Sequence, residues 1–473
     1  MRSLYISAGH KSSGKTTIAI GLGAALRARG LAVQPFKKGP DFIDSAWLQE
    51  ATGNPCFNLD PYLTSIAAVT EFFYRHVGKP DIALIEGTKG LHDGVATDGG
   101  DRNAAVARAI GSPVVLVMDT RGMTRGLAAV VMGLQKFDPE TQVVGVILNR
   151  VAGARHEDKL RRAIEQYTDL NVLGAVSDDP RLQIVQRHIG LTPTHETQEA
   201  QQGVKSLGDL IASQVDLDRV LEMSALHRSS VATLVGTVKM SAGAPRLRIG
   251  VAKDKAFGFY YPDDVRALES AGVCLLEIDT LNDKTLPEDL DGLWIGGGFP
   301  ECYLAELDKN QNLRQAIRRA IETDLPVYAE CGGLMYLSES ITYQGITGQM
   351  VGAIKGHAHL LDKPVGRGYI SLESTPNMPW PGWLDGSVKG HEFHHAEMRD
   401  LSPNQKYAWR VKRGHGVDGN FDGLIYKNVL AGFAHLRDAT GTDWTKHFID
   451  FVASKQSNRG AQDLQPTVSS DGL

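Results

Sequence analysis

The sequence has few cysteines and no excess of charge of either sign. Its 473 residues include four cysteines, 50 basic residues and 55 acidic residues, and the formal net charge is −5. The cysteines are scattered without a CxxC pair, which argues against both a disulfide framework and a zinc site. Because the charge is nearly balanced and no basic stripe alternates with aromatic residues, the sequence predicts no nucleic-acid partner.

The sequence also lacks any long apolar run. No stretch approaches the roughly 18 apolar residues needed to span a bilayer. The N-terminus enters the strand-like SLYISAG with too few residues before it for a signal-peptide core. We therefore expect a cytoplasmic protein with no membrane partner. The hydrophobic fraction of 42% allows full cores, and the length predicts two or three domains.

Short apolar runs alternate with helix-length segments in two series. In residues 1–223 the runs predict a parallel sheet covered by helices on both faces; they are SLYIS, AVQPF, IALIEG, PVVLVMDT, VVGVILNRV and VLGAV. A second α/β series is predicted in residues 246–453, with strands at RLRIGVA, VCLLEID, GLWIGGG and PVYAE. The segment 224–245 is predicted to be a linker, and 454–473, which is almost free of apolar residues, a disordered tail.

Residues 9–17, GHKSSGKTT, match the pattern G-x-x-x-x-G-K-[ST] between a predicted strand and a predicted helix. In such a loop the backbone N–H groups point at phosphate oxygens, the lysine reaches the terminal phosphates, and the hydroxyl joins the magnesium shell. The pattern predicts an ATP site, and a chance match in a surface turn is the alternative. The residues assigned to ATP are Gly9, Gly14, Lys15, Thr16 and Thr17.

ATP is used with Mg²⁺, which needs oxygen ligands beyond the phosphates. Glu86 ends the apolar run IALIE as a Walker B acid does, and Asp41 and Asp44 lie in KKGPDFID. We assign Mg²⁺ to Thr16, Asp41 and Glu86. The alternatives are a solvated strand-end carboxylate for Glu86 and an ordinary glycine–proline turn for the two aspartates.

A cysteine lies at a predicted strand-to-helix junction in PVYAECGGLMYLS, residues 326–338. PVYA fits the end of a buried strand and LMYL the start of a helix, so Cys331 occupies the place where α/β enzymes expose a nucleophile. The two following glycines allow a sharp turn, and the helix N-terminus would favour a thiolate. The alternative is a buried free cysteine beside a turn.

Acyl transfer at a thiol also requires an oxyanion site and a base. The glycines of LWIGGGFPE follow a predicted strand and can present N–H groups to an oxyanion. The predicted pocket is formed by Gly296, Gly297, Gly298 and Gly332. A histidine serves a cysteine nucleophile as base. The candidates are His435 in AGFAHLRD and the histidines of GHEFHH, which are His391, His394 and His395; spacing alone does not choose among them.

Together these segments resemble the cobyrinic acid a,c-diamide synthase family of glutamine-dependent amidotransferases. The resemblance covers nearly the whole chain, through GHKSSGKTT, PFKKGPDFID, IEGTKGLHDG, VILNRV, AFGFYYPDD, GGGFPE, YAECGGLMYL, GHEFHH and FAHLRD. It implies a P-loop parallel-sheet synthetase domain, similar to dethiobiotin synthetase, followed by a class I glutamine amidotransferase α/β domain. By the same matching Cys331 attacks glutamine and His435 is the base.

The resemblance also implies the reaction. ATP would phosphorylate a carboxylate to an acyl phosphate, and ammonia released at Cys331 would displace the phosphate. The family substrates are tetrapyrrole acids, whose acetate side chains a and c become amides.

The sequence departs from the family pattern in three places. Lys38 replaces an apolar residue, and Thr88-Lys89 replaces a Val-Met pair. This pattern is more similar to the branch that acts on sirohaem or sirohydrochlorin-type rings, and we assign Lys38, Asp44 and Lys89 to the substrate. Arg437 replaces a second histidine of many members. No carboxylate stands two residues after His435, so the third group of a catalytic triad is unassigned.

Two alternatives remain at this point. One is a dethiobiotin-synthetase-like ligase that acts on an acid other than a tetrapyrrole. The other is a P-loop switch ATPase with an inert amidotransferase-like domain. The sequence leaves a homodimer open.

Overall fold

The chain divides into two units at a point inside the predicted linker. The computed structural model describes residues 1–95, 99–179, 186–187, 190–191, 200–227, 247–383, 387–438 and 442–462. The compact units are Met1–Thr237, here called the N-terminal unit, and Val238–Leu473, the C-terminal unit. Most of the predicted linker lies outside the described residues, so its bounds and those of the two predicted domains stay predictions.

The N-terminal unit alternates strands and helices, as predicted. Its strands are β1 (Ser3–Ala8), β2 (Val33–Lys38), β3 (Phe57–Leu59), β4 (Ile82–Glu86), β5 (Val114–Asp119), β6 (Val143–Val151), β7 (Asn171–Ser177), β8 (Gln186–Arg187) and β9 (Gly190–Leu191). Its helices are α1 (Lys15–Ala28), α2 (Ile43–Thr52), α3 (Ile66–His76), α4 (Asn103–Ala109), α5 (Gly126–Phe137), α6 (Ala154–Tyr167), α7 (Ala200–Gln214) and α8 (Leu217–Ser224).

Seven of these strands form one sheet in the order β3-β2-β4-β1-β5-β6-β7. Every pairing in it is parallel, which confirms the predicted parallel sheet. The six predicted apolar runs are all strands of this sheet; β3 adds a seventh, too short to give a periodic signal. In this order β1 lies between β4 and β5, so the carboxyl ends of β1, β2 and β4 are neighbours.

Helices cover both faces of this sheet. On one face, Phe36 and Leu116 of the sheet share a buried cluster with Phe73 of α3 and Leu160 of α6. On the other face α1 packs closely against α7, because glycines leave no side chain between them. A Cβ atom on Gly208 would lie 2.9 Å from the Cβ atom of Ala24, so this contact depends on the missing side chain.

The C-terminal unit begins with a second α/β series and continues with many short strands. Its strands are β10 (Arg248–Ala252), β11 (Phe257–Phe259), β12 (Cys274–Ile278), β13 (Gly292–Ile295), β14 (Gly297–Gly298), β15 (Val327–Glu330), β16 (Ser340–Tyr343), β17 (Ile346–Gln349), β18 (His357–Leu360), β19 (Gly366–Ser374), β20 (Ser387–His394), β21 (Ala396–Arg399), β22 (Lys406–Arg413), β23 (Phe421–Tyr426) and β24 (Val429–Gly432). Its helices are α9 (Pro262–Ser270), α10 (Leu304–Lys309), α11 (Gln311–Glu322), α12 (Gly332–Leu337) and α13 (Trp444–Gln462), with a 3-10 helix at Pro300–Tyr303.

Nine strands form the main sheet of this unit, in the order β12-β10-β13-β15-β24-β23-β22-β19-β20. The pairings from β12 to β24 are parallel, and those from β24 to β20 are antiparallel. The four predicted strands lie in the parallel half. The antiparallel half is not in the prediction, because its strands carry polar residues on one face and give weak apolar runs.

Alternation along the central strands sends side chains to two cores. Leu293 and Ile295 on β13 belong to one buried cluster, together with residues of α11 and α12. Trp294, the residue between them, belongs to the other cluster, which includes Phe448 of α13. Neighbouring residues of a strand point to opposite faces, so this sheet too is covered by helices on both sides.

The last helix contradicts part of the predicted tail. α13 continues to Gln462, past residue 454, where the sequence predicts the start of disorder. Trp444, Phe448 and Phe451 are buried in the first half of α13. Once those turns are packed, extending a helix into polar sequence costs little. Residues 463–473 lie outside the described part of the chain. None of the described helices has the length and apolar character needed to cross a lipid bilayer.

Candidate active sites

The phosphate loop contains a glycine that the fold requires. Gly14 has φ 89°, and a Cβ atom added to it would lie 2.2 Å from Asn149 Nδ2. Asn149 Nδ2 donates a hydrogen bond to the Ser13 carbonyl oxygen at 2.9 Å, which supports the loop from below. α1 begins at the next residue, Lys15. The free N–H groups at such a helix start can donate hydrogen bonds to phosphate oxygens.

Lys15 is buried at the start of α1. Burial lowers the pKa of its ammonium group to about 8, although the charge of Glu86 opposes the shift. A poorly solvated lysine gains stability from an anionic ligand, because that ligand restores the charge interactions lost with water. The position of Lys15 therefore suits a phosphate group.

A cavity opens beside the phosphate loop. It is lined by Gly14, Thr17, Arg121, Asn149, Arg150, Asp178 and Asp179. Asp119 lies 2.7 Å from Arg121 and 2.6 Å from Arg150. Partial burial acts to raise the pKa of Asp119, but hydrogen bonds from both arginines lower it to about 2. Asp119 is therefore ionised and fixes the two guanidinium groups at the wall of the cavity.

Another predicted ATP residue, Gly9, lies at the end of β1. A Cβ atom added to Gly9 would lie 3.3 Å from the Met118 side chain.

Four polar side chains meet next to Lys15. Thr16 Oγ1 donates to Glu86 Oε1 at 2.5 Å and to Asp44 Oδ2 at 3.3 Å. Lys37 Nζ lies 2.7 Å from Asp44 Oδ2 and 3.0 Å from Glu86 Oε1. Parallel pairing explains the arrangement, because Lys37 on β2 is the register partner of Glu86 on β4. The predicted Thr16–Glu86 pair is thus brought together.

The prediction from sequence does not include Lys37. Its side chain is 3% exposed. Burial by itself lowers the pKa of Lys37, but the carboxylates of Asp44 and Glu86 outweigh burial and hold the pKa above its ordinary range. Lys37 therefore keeps its proton to higher pH than Lys15 does. Alternation along a strand could have identified it, because only one lysine of the pair KK can point to the face that carries Glu86.

The Glu86 carboxylate fits a bound cation. Glu86 is fully buried, and its Oε2 has no hydrogen-bond partner among the described residues. A buried oxygen without a partner is costly unless a ligand satisfies it. Within the described ranges no group of three or more His, Cys, Asp or Glu side chains could hold a metal ion. Mg²⁺ matches this chemistry, because it is held by one or two carboxylates together with substrate phosphates.

The two predicted aspartates have changed places. Asp44, assigned to the substrate, is the one that contacts Thr16 and Lys37. Asp41, assigned to Mg²⁺, instead accepts a hydrogen bond from the Asp44 backbone N–H at 2.7 Å through Oδ1. An aspartate just before a helix commonly bonds the first free N–H groups of that helix. These contacts favour Asp44 over Asp41 as a ligand, and the assignment of Mg²⁺ to Asp41 stays a prediction.

The two lysines predicted to bind substrate lie near each other at the ends of β2 and β4. Lys38 is 5% exposed. Its burial lowers the pKa of its ammonium group, with Asp60 and Asp101 opposing the shift and Lys89 adding to it. Thr88 donates to the Lys38 carbonyl oxygen and so links the two segments. Lys89 is exposed. The buried Lys38 is therefore not an ordinary surface charge.

Cys331 lies at the predicted junction between β15 and α12. Its φ of 49° and ψ of −101° are rare for a residue with a side chain, and its N–H donates to the Gly432 carbonyl oxygen at 2.7 Å. A Cβ atom on Gly333 would lie 2.3 Å from the Ile295 carbonyl oxygen, so the turn requires a glycine there. The strained turn is the conformation in which α/β enzymes present a nucleophile.

The structure brings three of the four glycines of the predicted pocket together. A Cβ atom on Gly332 would lie 3.0 Å from the Gly298 nitrogen, and one on Gly297 would lie 2.6 Å from His435 Cε1. These three glycines surround the space next to Cys331. The N–H of the fourth, Gly296, donates to the Tyr260 hydroxyl at 2.9 Å, so its role in the pocket stays a prediction.

His435 is the histidine that reaches Cys331. Its Nδ1 lies 3.2 Å from Glu330 Oε2. Burial alone would lower the pKa of His435, but hydrogen bonds to Cys331 and Glu330 raise it to about 10. A histidine with this pKa keeps a proton when it pairs with a thiolate. The prediction from sequence does not include Glu330, just as it does not include Lys37. Glu330 stands next to Cys331 in the sequence, but its partner His435 is 105 residues away.

The histidines of GHEFHH have other partners. His391 stacks on His435, with ring centroids 4.8 Å apart, and the two residues exchange backbone hydrogen bonds of 3.1 and 2.8 Å. Burial, with the charge of His435, lowers the pKa of His391 well below its ordinary value. His394 stacks on Phe433 at 3.8 Å, and His395 Nδ1 lies 2.9 Å from the Leu361 carbonyl oxygen.

The unusual Arg437 has a structural explanation. Its Nε donates to Asp263 Oδ2 at 2.8 Å, and both side chains are buried. The guanidinium carbon lies 5.3 Å from the ring centroid of Tyr261, a cation–π distance. Arg437 therefore completes a buried ion pair with the YYPDD segment.

Two family models match the chain. A CobQ/CobB/MinD/ParA nucleotide binding domain matches residues 5–191. A CobB/CobQ-like glutamine amidotransferase domain matches residues 248–439. The first covers the phosphate loop and Glu86, and the second covers Cys331 and His435.

Curated relatives match nearly the full length. A cobyrinate a,c-diamide synthase of Magnetococcus marinus is 41% identical over 96% of this chain and 98% of its own length. Enzymes of the same name from Methanosarcina acetivorans and Listeria innocua are 40% and 39% identical, over 96% and 92% of this chain and 96% of each relative. A solved glutamine amidotransferase from Thermotoga maritima is 11% identical, covering 47% of this chain and 88% of that one, with a TM-score of 0.30; we draw nothing from so low a score.

Proposed function

The chain belongs to the cobyrinate a,c-diamide synthase family, with which it shares a nucleotide-binding and a glutamine amidotransferase domain, and it is a glutamine-hydrolysing, ATP-dependent carbon–nitrogen ligase. From this premise we propose that it converts acetate side-chain carboxylates of a tetrapyrrole acid into amides. The observation that carries the proposal is the contact between Cys331 and His435 in a unit that follows an intact phosphate loop.

In the C-terminal unit Cys331 releases ammonia from glutamine. The thiolate attacks the side-chain amide, and the N–H groups of Gly298 and Gly332 stabilise the oxyanion. His435 gives its proton to the departing nitrogen, so that ammonia leaves and a glutamyl thioester remains. Water then hydrolyses the thioester, which yields glutamate and free Cys331.

In the N-terminal unit ATP activates the acceptor. A substrate carboxylate attacks the γ-phosphorus of ATP, ADP leaves and an acyl phosphate forms. Ammonia then adds to the acyl carbon and phosphate leaves, which gives the amide. Lys15 and Lys37 hold the charge of the terminal phosphates. Thr16, Asp44 and Glu86 would hold Mg²⁺, which supplies positive charge next to the β- and γ-phosphates when it is bound.

The second part of the proposal concerns which tetrapyrrole ring is the substrate. The relatives' names contain cobyrinate, whereas Lys38 and Lys89 resemble the pattern of the sirohaem and sirohydrochlorin branch. A buried ammonium group such as that of Lys38 is stabilised by an anionic partner. We therefore favour a sirohydrochlorin-type acid, with its additional carboxylates, over cobyrinic acid.

The two alternatives from the sequence have less support. Curated relatives align with both domains of this chain, which disfavours a ligase of the dethiobiotin synthetase kind. The buried Cys331–His435 pair disfavours an inert second domain. The cytoplasmic location and a homodimer stay predictions.

The test exchanges the nitrogen source. Cys331→Ala should abolish amidation driven by glutamine and leave amidation driven by ammonium salt intact, because ammonia then enters without the thiol. Cys274→Ala, at the half-buried free cysteine on β12, is the matched control and should use both sources. A Cys331→Ala variant that still used glutamine normally would refute the proposed role of the thiol. A panel of metal-free and metallated tetrapyrrole acids then identifies the ring.

A further inference from the structure

A buried carboxylate supports the base from the strand that precedes the nucleophile. Glu330 is the last residue of β15, and Cys331 follows it. Its Oε2 lies 3.2 Å from His435 Nδ1, and both side chains are almost fully buried. The contact joins the ring of the base to the strand that ends in the thiol.

We propose that Glu330 is the positioning residue of the Cys331–His435 pair and takes the place of the missing carboxylate two residues after the histidine. The inference rests on the proposed function of Cys331 and His435. Glu330 acts through His435 and does not touch the substrate in this assignment.

The hydrogen bonds of Glu330 identify it as an acceptor. Its Oε1 accepts from the Tyr328 hydroxyl at 2.5 Å and from the Leu436 backbone N–H at 3.1 Å. Both partners donate, which is the pattern of an ionised carboxylate. Oε2 is thus left to accept from His435 Nδ1, and this bond requires a proton on that nitrogen. The other ring nitrogen is then the one that exchanges a proton with the thiol.

The backbone holds this arrangement rigidly. β15 pairs with β24, with Glu330 opposite Gly432, so the segment that carries His435 begins beside Glu330. Leu436 follows His435 directly, and its N–H is bound to the same carboxylate. A change in the Glu330 side chain therefore moves the ring of His435 and its backbone together.

Other charged groups near His435 are engaged elsewhere. Asp422 accepts from the backbone N–H groups of Phe433 and Ala434 at 2.9 and 3.0 Å. Asp263 pairs with Arg437, which occupies the usual position of the triad acid. Opposite the ring stands the neutral His391. Besides Glu330, His435 forms a hydrogen bond with the Cys331 thiol.

The test is Glu330→Gln in the full chain, which preserves size and removes the charge. A wrongly oriented base lowers the rate of acyl transfer by about a hundredfold or more. We expect a loss of that size in glutamine-driven amidation, with ammonium-driven amidation unchanged. The alkaline limb of the glutaminase pH profile should also move to lower pH, because Glu330 helps to keep His435 protonated. A merely structural residue would not shift that limb.

The matched control is Glu392→Gln. Glu392 is equally buried in the same unit, but its oxygens accept from the His415 and Gly416 backbone N–H groups. It should leave the pH profile in place. Equal effects of the two variants, or glutaminase activity in Glu330→Gln close to that of the wild type, would overturn the inference. If Cys331→Ala still used glutamine, the proposed function itself would fail, so the two failures are distinguishable.

A measurement on the wild-type enzyme covers the case in which Glu330→Gln does not fold. In NMR spectra of the enzyme labelled with ¹⁵N-histidine, the signals of His435 are identified as those that disappear in the His435→Gln variant. We expect Nδ1 to carry a proton throughout the pH range of activity. An unprotonated Nδ1 within that range would overturn the inference.

Discussion

The two units build their sites from differently spaced residues. In the N-terminal unit the loop residues Gly14, Lys15 and Thr16 are consecutive, and parallel register brings Lys37 and Glu86 to them. In the C-terminal unit Cys331 and His435 are far apart in the chain and meet through pairing between β15 and β24. Phosphate can be bound by one loop and a helix start, whereas acyl transfer needs a nucleophile, a base and an oxyanion site from separate elements.

This contrast makes the two activities separable by mutation. A change at one site should leave the partial reaction of the other unit intact, because the described residues assigned to each site belong to a single unit. The predictions below use that separation, from the largest expected effect to the smallest.

Lys37→Met should give the largest effect. It removes the charge that neutralises Asp44 and Glu86, and breaking such a buried pair costs about 3–5 kcal/mol of stability. We expect amidation to fall by about a hundredfold or more with either nitrogen source, while glutamine hydrolysis persists. Steady-state rates of both partial reactions measure this. Lys79→Met, at an exposed lysine, is the control; normal amidation in Lys37→Met would contradict the role of Lys37.

Gly298→Ala should damage the other site alone. A Cβ atom at this position would lie 1.9 Å from the Ala256 carbonyl oxygen, so the backbone that lines the oxyanion site must shift. Loss of one oxyanion donor costs about 10²–10³ in rate, and we expect that loss in glutamine-driven amidation only. Gly203→Ala, where a Cβ atom meets nothing within 4 Å, should be silent. An equal loss with ammonium salt would show that the two sites are not separable.

The double substitution Lys38→Val with Lys89→Met tests whether these two lysines select the tetrapyrrole substrate. Each well-placed charge contact is worth about 1.5–3 kcal/mol, or ten- to a hundredfold in affinity. The KM for a sirohydrochlorin-type acid should rise by about that factor, while the KM for ATP stays unchanged. The preference should shift towards cobyrinic acid. Equal losses for both tetrapyrroles, or a loss confined to ATP, would favour the corrinoid assignment.

The pH dependence gives the smallest effect. The pKa of His435 is raised from 6.5 to about 10, so the stabilisation from its proton is complete below pH 6.5 and is lost as the pH rises through about 10. The rate of glutamine hydrolysis should fall over the same pH range. The rate of ammonium-driven amidation should show no such fall. Thermal unfolding and rates measured across this range, with His435→Gln as the control, test it. A fall in the rate of glutamine hydrolysis near the ordinary histidine pKa would contradict the raised pKa of His435.

Much of the N-terminal site can be read from sequence. The strand, the loop GHKSSGKTT and the following helix are local, and apolar runs mark the buried strands that carry Glu86. The choice between Asp41 and Asp44 is not local. Both stand before or within the first turn of α2, and only the packing of α2 against β2 shows which carboxylate faces Thr16.

The C-terminal site depends more on tertiary structure. The sequence alone determined that Cys331 lies in a strand-to-helix turn, because apolar patterning and two glycines act over a few residues. Spacing did not determine which of four histidines is the base, and only the family resemblance indicated His435. Nor did the sequence show that the Gly296 N–H donates to Tyr260 or that Glu330 contacts His435. Those contacts join residues tens to more than a hundred positions apart. They exist only once parallel and antiparallel strands pair, since register, and not spacing along the chain, sets which side chains meet.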